Sequence, residues 1–508
     1  VKRSLIAAVT VSALALGIFI VAPRTAAQQS PWPTHGWLRS SPEAQGLSSA
    51  VLAEAFDYIR GHRIPIHSLT IVRNGYLVLD AYFWPFRDGQ THDLASVTKS
   101  VTATLVGIAI GQHQLRGVDQ PLLSLFGRHL VADIDERKER VTLEHLLTMT
   151  SGIDCVAAHE LTLAEMMQSS DWVQFMLDRP MRDEPGQHYE YCSSGMHLLS
   201  AVVAQATRTN TLDYARRELF DPLGISHVVW PLDPQGIPHG WGDLHLQPRD
   251  MAKIGYLWLH GGRWEDRQIV PSNWMAAATQ VHSHPGFTPG QEYGYGFWVY
   301  PRRTPPIFEG LGRGGQRISV VPALNLVVVF TGGTFEPGDI GEFIGRSVRS
   351  SAPLSEDPAG ASRLAAAIAD AARPPAPQPV PAPPPLAAAI TGRRFALDPN
   401  SVGLASIALG FPGGAEATLS LRFGDGRAEQ RPVGLDGVPR VSPNGRFGLP
   451  VAVSGAWENN STFVLLYDEV GNINAIRLRM TFAGGNVRVE MAERSGLMEA
   501  VINGRANE

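Results

Sequence analysis

A proline-dense run, Arg373 to Pro385 (RPPAPQPVPAPPP), constrains this chain more than any other feature. Proline fixes φ and removes a backbone donor, so the run forms neither helix interior nor central strand and acts as a semi-rigid spacer. It divides the 508 residues into two units of different pattern, as the length alone requires, since one hydrophobic core stops growing at about 250–300 residues. Before it, from about 43 to 372, helical and strand periods alternate. After it, 391–508 alternates at a period of two. Thr418 to Phe423, Ile476 to Phe482 and Val487 to Met491 read as strands, the last two turning at Gly484-Gly485. The second unit is expected to be a small antiparallel β domain, barrel or sandwich.

In the first unit, His67 to Tyr82 reads as a hairpin turning at Asn74-Gly75. Val97 to Gly111 reads as an apolar helix stopped by glycine, and Met196 to Ala206 as another. Glu144–Met149 and Asp213–Leu219 are shorter helical pieces, and 317–330 returns to strands around Pro-Ala-Leu-Asn. Strands, then helices, then strands again indicate an α+β unit with an antiparallel sheet.

The N-terminus carries Lys2 and Arg3, an apolar stretch from Leu5 to Val21, and small residues at Thr25-Ala26-Ala27. This is the pattern of an export signal over 1–27, cleaved near Ala27 or kept as an anchor, with a Pro-rich linker over 28–42. The protein is therefore expected to be secreted or periplasmic. In such a compartment Cys155 and Cys192 can form a disulfide, and two buried free thiols fit the sequence equally well. A net charge of −5 gives no basis for a nucleic-acid or anionic-membrane partner. The histidines and cysteines have no metal-ligand spacing, and His282 and His284 sit on a solvated Gly/Pro loop. Neither metal nor organic cofactor is expected.

Only four of the 43 basic residues are lysine: Lys2, Lys99, Lys138 and Lys253. Lysine, unlike arginine, can give up its proton. Lys99 is the one formally charged side chain between Asp93 and Arg116, and it follows Ser96 by three residues. On a helix, i and i+3 share a face. An apolar helix and the positive end of its dipole both disfavour charge on an amine there. A neutral amine can take a proton from serine, so Ser96 and Lys99 supply nucleophile and base together. Their structural alternatives are a helix cap and a snorkelling surface lysine. A second cluster, Pro185 to Gly195, places Tyr191 in a loop before an apolar helix, with Ser193 two residues on. A phenol near an ammonium can serve as a base, and Ser193 can bond substrate or lysine. Packing and capping are the alternatives for this pair.

These stretches resemble, in order, the serine β-lactamase-related family. It includes class C β-lactamases, D-alanyl-D-alanine peptidases, family VIII-type esterases and 6-aminohexanoate-oligomer hydrolases. The likeness rests on Ala95 to Ser100, Leu143 to Gly152, Pro185 to Gly195, Arg249 to Gly255, Gly294 to Trp298 and Gly314 to Pro322, and covers about 43–350. It implies a β-lactamase/transpeptidase-like α+β fold with the site between a helical part and the sheet, and Tyr191 as partner base of Ser96 and Lys99. Arg249, Asp250 and Lys253 then belong to the fold rather than the chemistry.

Two departures stand out. Ser193 replaces the family's usual asparagine, and the usual Lys-Thr-Gly or His-x-Gly is here Gly310-Leu-Gly-Arg-Gly-Gly-Gln316. No lysine or histidine follows His284, and Arg313 and Arg317 are the nearby cations. The same loop matches G-x-G-x-x-G, but a strand follows it where a dinucleotide site needs a helix. Its glycines suit a close turn that aims an amide at the site, with the Ser96 and Arg313 N–H groups as oxyanion donors and Gly312, Ser193 and Gln316 about them. The expected activity is that of a serine hydrolase of carboxylesterase or amidase type, acting on a small or peptide-like ester or amide. Lacking the third-motif cation, it is less suited to the β-lactamase or D-alanyl-D-alanine carboxypeptidase reaction. A non-catalytic peptidoglycan- or peptide-binding protein is the other alternative.

Overall fold

The computed structural model describes residues 32–127, 131–132, 134–496 and 498–506. The export segment 1–27 and the start of the 28–42 linker lie outside the described residues. The rest of that linker is packed rather than free. Trp32 sits 5.3 Å from Tyr256 and 5.2 Å from Trp264, ring centre to ring centre, and Trp37 donates to the Arg249 carbonyl at 3.1 Å. Two indoles carry too much apolar surface to leave in water, which outweighs the polar composition around them.

The first unit is built on a seven-stranded antiparallel sheet. Its strands are β1 (Ile66–Arg73), β2 (Tyr76–Tyr82), β3 (Glu292–Tyr293), β4 (Trp298–Tyr300), β5 (Ile307–Gly312), β6 (Gln316–Val321) and β7 (Leu326–Gly332), in the order β2-β1-β7-β6-β5-β4-β3. Asn74 and Gly75 take φ of 52° and 83°, the left-handed pair that a two-residue hairpin demands. Helix α1 (Ser49–His62), with α5 (Gly338–Ser347) and α6 (Pro358–Ala371), covers one face. On the other lie α2 (Val97–Gly111) and α4 (Pro248–Leu259), with α3 (Ser193–Thr207) against α2.

Helix α2 is central. Every residue from Val97 to Ala109 is buried, as expected of a helix apolar all round. A leucine- or valine-sized side chain buried there is worth about 1.5–3 kcal/mol, so the apolar run that predicts the helix also drives it to the middle of the unit. Its start is fixed by a two-strand ladder, His92–Asp93 against His245–Leu246, and by Ser100 Oγ, which donates to the Gly296 carbonyl at 2.6 Å.

Beyond the spacer, ten strands run from β8 (Arg394–Leu397) through β9 (Leu404–Gly410), β10 (Glu416–Phe423), β11 (Ala428–Gly434), β12 (Arg440–Ser442), β13 (Val451–Trp457), β14 (Thr462–Glu469), β15 (Ala475–Ala483) and β16 (Asn486–Glu493) to β17 (Glu499–Ala506). The order is β11-β10-β9-β8-β17-β16-β15-β14-β13-β12. A parallel contact between Gly434 and Ser454 brings β11 to β13 and closes the sheet into a barrel-like domain. Inward residues such as Leu419, Val453, Phe463, Met480 and Val489 fill it.

Candidate active site

The chain enters α2 through a strained turn. Asp93 Oδ1 accepts the Ala95 N–H at 2.8 Å, and Ala95 takes φ of 46°, uncommon for a residue with a Cβ. Ser96 follows at the head of α2. Its hydroxyl makes no capping bond, although serine at this position usually bonds the first turn. Instead Lys99 Nζ lies 2.7 Å from Ser96 Oγ. Lys99 is 1% exposed, and its Nζ also donates to the Trp241 carbonyl at 3.0 Å. Among the described residues no carboxylate pairs with it. The face of Tyr191 lies 4.7 Å from Nζ, ring centre to nitrogen. The contact that brings Tyr191 to Lys99 is thus through the ring.

Tyr191 stands at the inner end of an aromatic row. Trp298 stacks on it at 6.1 Å, Phe287 lies 6.5 Å from Trp298, and Tyr189 lies 5.9 Å from Phe287. Phe287 is 66% exposed, so the row runs from solvent to the lysine. Cys192 and Cys155 form a disulfide. The bridge ties residue 192, between Tyr191 and Ser193, to the loop that carries Glu160. Ser193 Oγ donates to Glu160 Oε1 at 2.8 Å, and the side chain is buried. That hydroxyl is therefore committed to holding the 155–160 loop rather than free to meet a substrate.

The glycine turn packs directly against the head of α2. A Cβ on Gly312 would stand 2.5 Å from the Leu94 carbonyl oxygen and 3.0 Å from the Ser96 nitrogen, so only glycine lets β5 approach this closely. Among the described residues nothing accepts from the Ser96 N–H. After Gly312 the chain turns through Arg313, Gly314 (φ 83°) and Gly315 (φ 93°) into β6. The side chains of this turn go elsewhere. Gln316 is fully buried, its Nε2 donating to the Gly332 carbonyl at 2.6 Å and its Oε1 accepting the Gly332 N–H at 3.0 Å. Its Nε2 donates as well to the Arg313 carbonyl at 3.3 Å, so it braces the turn and the end of β7 and has no amide hydrogen left for substrate. The Arg313 guanidinium runs to the C-terminal barrel, donating to Asn474 Oδ1 at 3.2 Å and to Ser495 Oγ.

Several participants carry no readable signal in the sequence. Trp241 contributes only a carbonyl. Glu160 and Asn474 are remote from the segments they bond. Asp93 is the exception, because an aspartate two residues before a turn is a recognisable local acceptor. Burial raises its carboxyl above the usual carboxylate range, with His245 and Arg313 pulling it back. Arg249 bonds Asp80 and Asp88, and Lys253 bonds Asp250 and the Gly224 carbonyl, which keeps all three of Arg249, Asp250 and Lys253 in the fold. Among the described residues no group of three or more His, Cys, Asp or Glu side chains could hold a metal ion.

Comparison with known proteins bears on the family and the fold. Over 157 residues the chain is 29% identical to monacolin J acid methylbutanoyltransferase of Aspergillus terreus; that match spans 27% of this chain but only 38% of the relative. Against 6-aminohexanoate-dimer hydrolase of Paenarthrobacter ureafaciens it is 22% identical over 285 residues, covering 51% of this chain and 70% of the relative. The fold matches the putative 6-aminohexanoate-dimer hydrolase of Bacillus anthracis with a TM-score of 0.53 at 16% identity, over 63% of this chain and 88% of that one. The Beta-lactamase family model matches residues 52–352, more than half of the sequence and all within the first unit, and the chain belongs to that family.

Proposed function

We propose that this protein is a serine hydrolase that forms an acyl-enzyme on Ser96. The observation that carries the reading is the 2.7 Å approach of Lys99 Nζ to an uncapped Ser96 Oγ at the head of a buried helix. Lys99, buried and with no carboxylate paired to it among the described residues, is placed to receive the Ser96 proton. Ser96 Oγ attacks the substrate carbonyl while its proton passes to Lys99, with Tyr191 beside the lysine as partner base. The Ser96 and Arg313 N–H groups receive the developing oxyanion. The proton then goes to the leaving alcohol or amine. Water, activated by the same pair, attacks the acyl-enzyme and regenerates Ser96. The Aspergillus terreus relative, as its name says, transfers an acyl group; delivery of the acyl group to an alcohol instead of water would use the same intermediate.

The substrate reading is a neutral ester or linear amide. Arg313 and Arg317, the cations of the turn's own segment, lie 3.7 Å from Glu493 and Glu309 respectively. Neither is held free for a substrate carboxylate of the kind that β-lactams and D-Ala peptides carry. The aromatic row beside Tyr191, exposed at Phe287, suits an apolar acyl or leaving group. Export is part of the same reading, supported by the disulfide.

The test is turnover of p-nitrophenyl acetate and butyrate, an aminohexanoate amide oligomer and nitrocefin by the wild type and by Ser96→Ala. Ester or amide turnover that depends on Ser96, with nitrocefin at least about 100-fold slower in kcat/KM, is the expected result. Nitrocefin as the best substrate would support a β-lactamase instead. No Ser96-dependent turnover of any of them would leave the non-catalytic binding protein as the better account.

A further inference from the structure

The C-terminal barrel does not hang from the spacer; two of its connections are seated on the segments that frame Ser96. In the connection between β14 and β15, the Gly471 carbonyl accepts the Asp93 N–H at 2.8 Å, just before the strained turn at Ala95. Two residues on, Ile473 is buried against the glycine turn, where a Cβ on Gly314 would stand 2.6 Å from its Cγ2. Asn474 then accepts from Arg313 Nη2 at 3.2 Å. At the end of β16, Glu493 Oε1 lies 3.7 Å from Arg313 Nη1, Ser495 Oγ accepts from that same Nη1, and Arg494 donates to the Gly333 carbonyl at 3.3 Å. The Glu493 side chain is only 4% exposed.

The turn so gripped is rich in glycine. Gly314 and Gly315 both have positive φ and no side chains of their own, and glycine has the most conformational freedom to lose. Within the first unit the main chain of the turn is held by Gln316 Nε2, which donates to the Gly332 carbonyl at 2.6 Å and the Arg313 carbonyl at 3.3 Å, and by the Thr334 N–H on the Gly314 carbonyl at 3.0 Å, whereas the Arg313 guanidinium is held from the barrel. An oxyanion donor works only if it is already in place when charge develops, and a misplacement of about 1 Å costs about 100-fold in rate.

We propose that the C-terminal barrel is a working part of the active site, and that Arg313 is a positioning residue. Its guanidinium, held by Asn474, Glu493 and Ser495, sets the 312–315 turn so that its own main-chain N–H faces the substrate oxygen together with that of Ser96. The barrel thereby acts on the rate of the chemical step and not on substrate capture. This inference rests on the Ser96 reading above.

The full chain is compared with Arg313→Ala and with the double variant Asn474→Ala/Ser495→Ala. Three quantities are read: kcat and KM on p-nitrophenyl acetate, Tm, and hydrogen–deuterium exchange of the peptide spanning 310–316. Both variants are expected to lose about 10- to 100-fold in kcat with KM within about twofold. Exchange at 310–316 should quicken at least about tenfold while β1 and β7 stay protected. Wild-type-like kcat, where wild-type turnover depends on Ser96, overturns the proposal, as does a kcat loss matched by faster exchange throughout the first unit. If wild-type turnover survives Ser96→Ala, the Ser96 reading has failed instead. Exchange at 310–316 then decides the anchor alone, unchanged protection overturning it.

Discussion

Gly312 and Ser96 touch backbone to backbone: a Cβ on Gly312 would reach within 3.0 Å of the Ser96 nitrogen. The two atoms nearest that missing Cβ, the Leu94 carbonyl oxygen and the Ser96 nitrogen, are main chain and cannot swing aside. Gly312→Ala should push β5 off the head of α2, destabilising the protein by about 1–3 kcal/mol and lowering kcat/KM on its best ester at least about 100-fold. Denaturant titration and steady-state kinetics check the two figures. Activity within twofold of wild type would show that this approach has no catalytic meaning.

Asp93 holds Ala95 in its left-handed conformation by accepting its N–H. Removing the acceptor of this part-buried N–H costs about 1 kcal/mol, and it also frees the residue that aims Ser96. Asp93→Ala should lower kcat more than about tenfold, whereas Asp93→Asn, which keeps an acceptor, should retain most of it. Equal losses in the two variants would contradict this role.

His67 and His92 form a buried pair, Nδ1 of the first 2.8 Å from Nε2 of the second. Burial pushes His67 down to about 3, and burial with the neighbouring His67 holds His92 well below the usual histidine range. Between pH 6.5 and 3 the unfolded chain therefore binds protons that the folded chain refuses. The unfolding free energy rises with pH across that window, so stability present above pH 6.5 is lost as the pH falls. His67→Gln, which cannot titrate, should flatten the decline in Tm between pH 7 and 4. A decline as steep as the wild type's would assign acid sensitivity elsewhere.

The Cys155–Cys192 bridge closes a loop across a sequence separation of 37. On loop-entropy grounds its removal costs about 3–4 kcal/mol. The Cys155→Ser/Cys192→Ser variant should lose that much in denaturant titration, and kcat as well, because Tyr191 and Ser193 flank one end of the bridge. A stability unchanged by reduction or substitution would contradict it.

Local order was the legible part of this fold. The Val97–Gly111 helix and the Asn74-Gly75 hairpin announce themselves because a single period or a two-residue turn carries the whole signal. Ser96 and Lys99 share that locality, being one helical turn apart. The spacer from Arg373 marks the change from mixed helices and strands to pure strands for the same reason. Closure of the barrel through Gly434 and Ser454, and the fate of Arg313, depend on residues far along the chain. No window of sequence holds both partners. Gln316 and Ser193 show the complementary difficulty. Their residue types suit a substrate site, but the bonds to Gly332 and Glu160 that occupy them are tertiary. The 32–42 stretch read as linker by its prolines, yet Trp32 and Trp37 dock it.

On the proposed reading, Ser96 is the nucleophile and Lys99 its base. Incubation with a fluorophosphonate followed by peptide mass spectrometry tests it most directly. A single adduct on Ser96 is predicted, absent in Ser96→Ala and formed at least about 100-fold more slowly in Lys99→Met. An adduct on another serine, or labelling of Ser96→Ala at the wild-type rate, would contradict it.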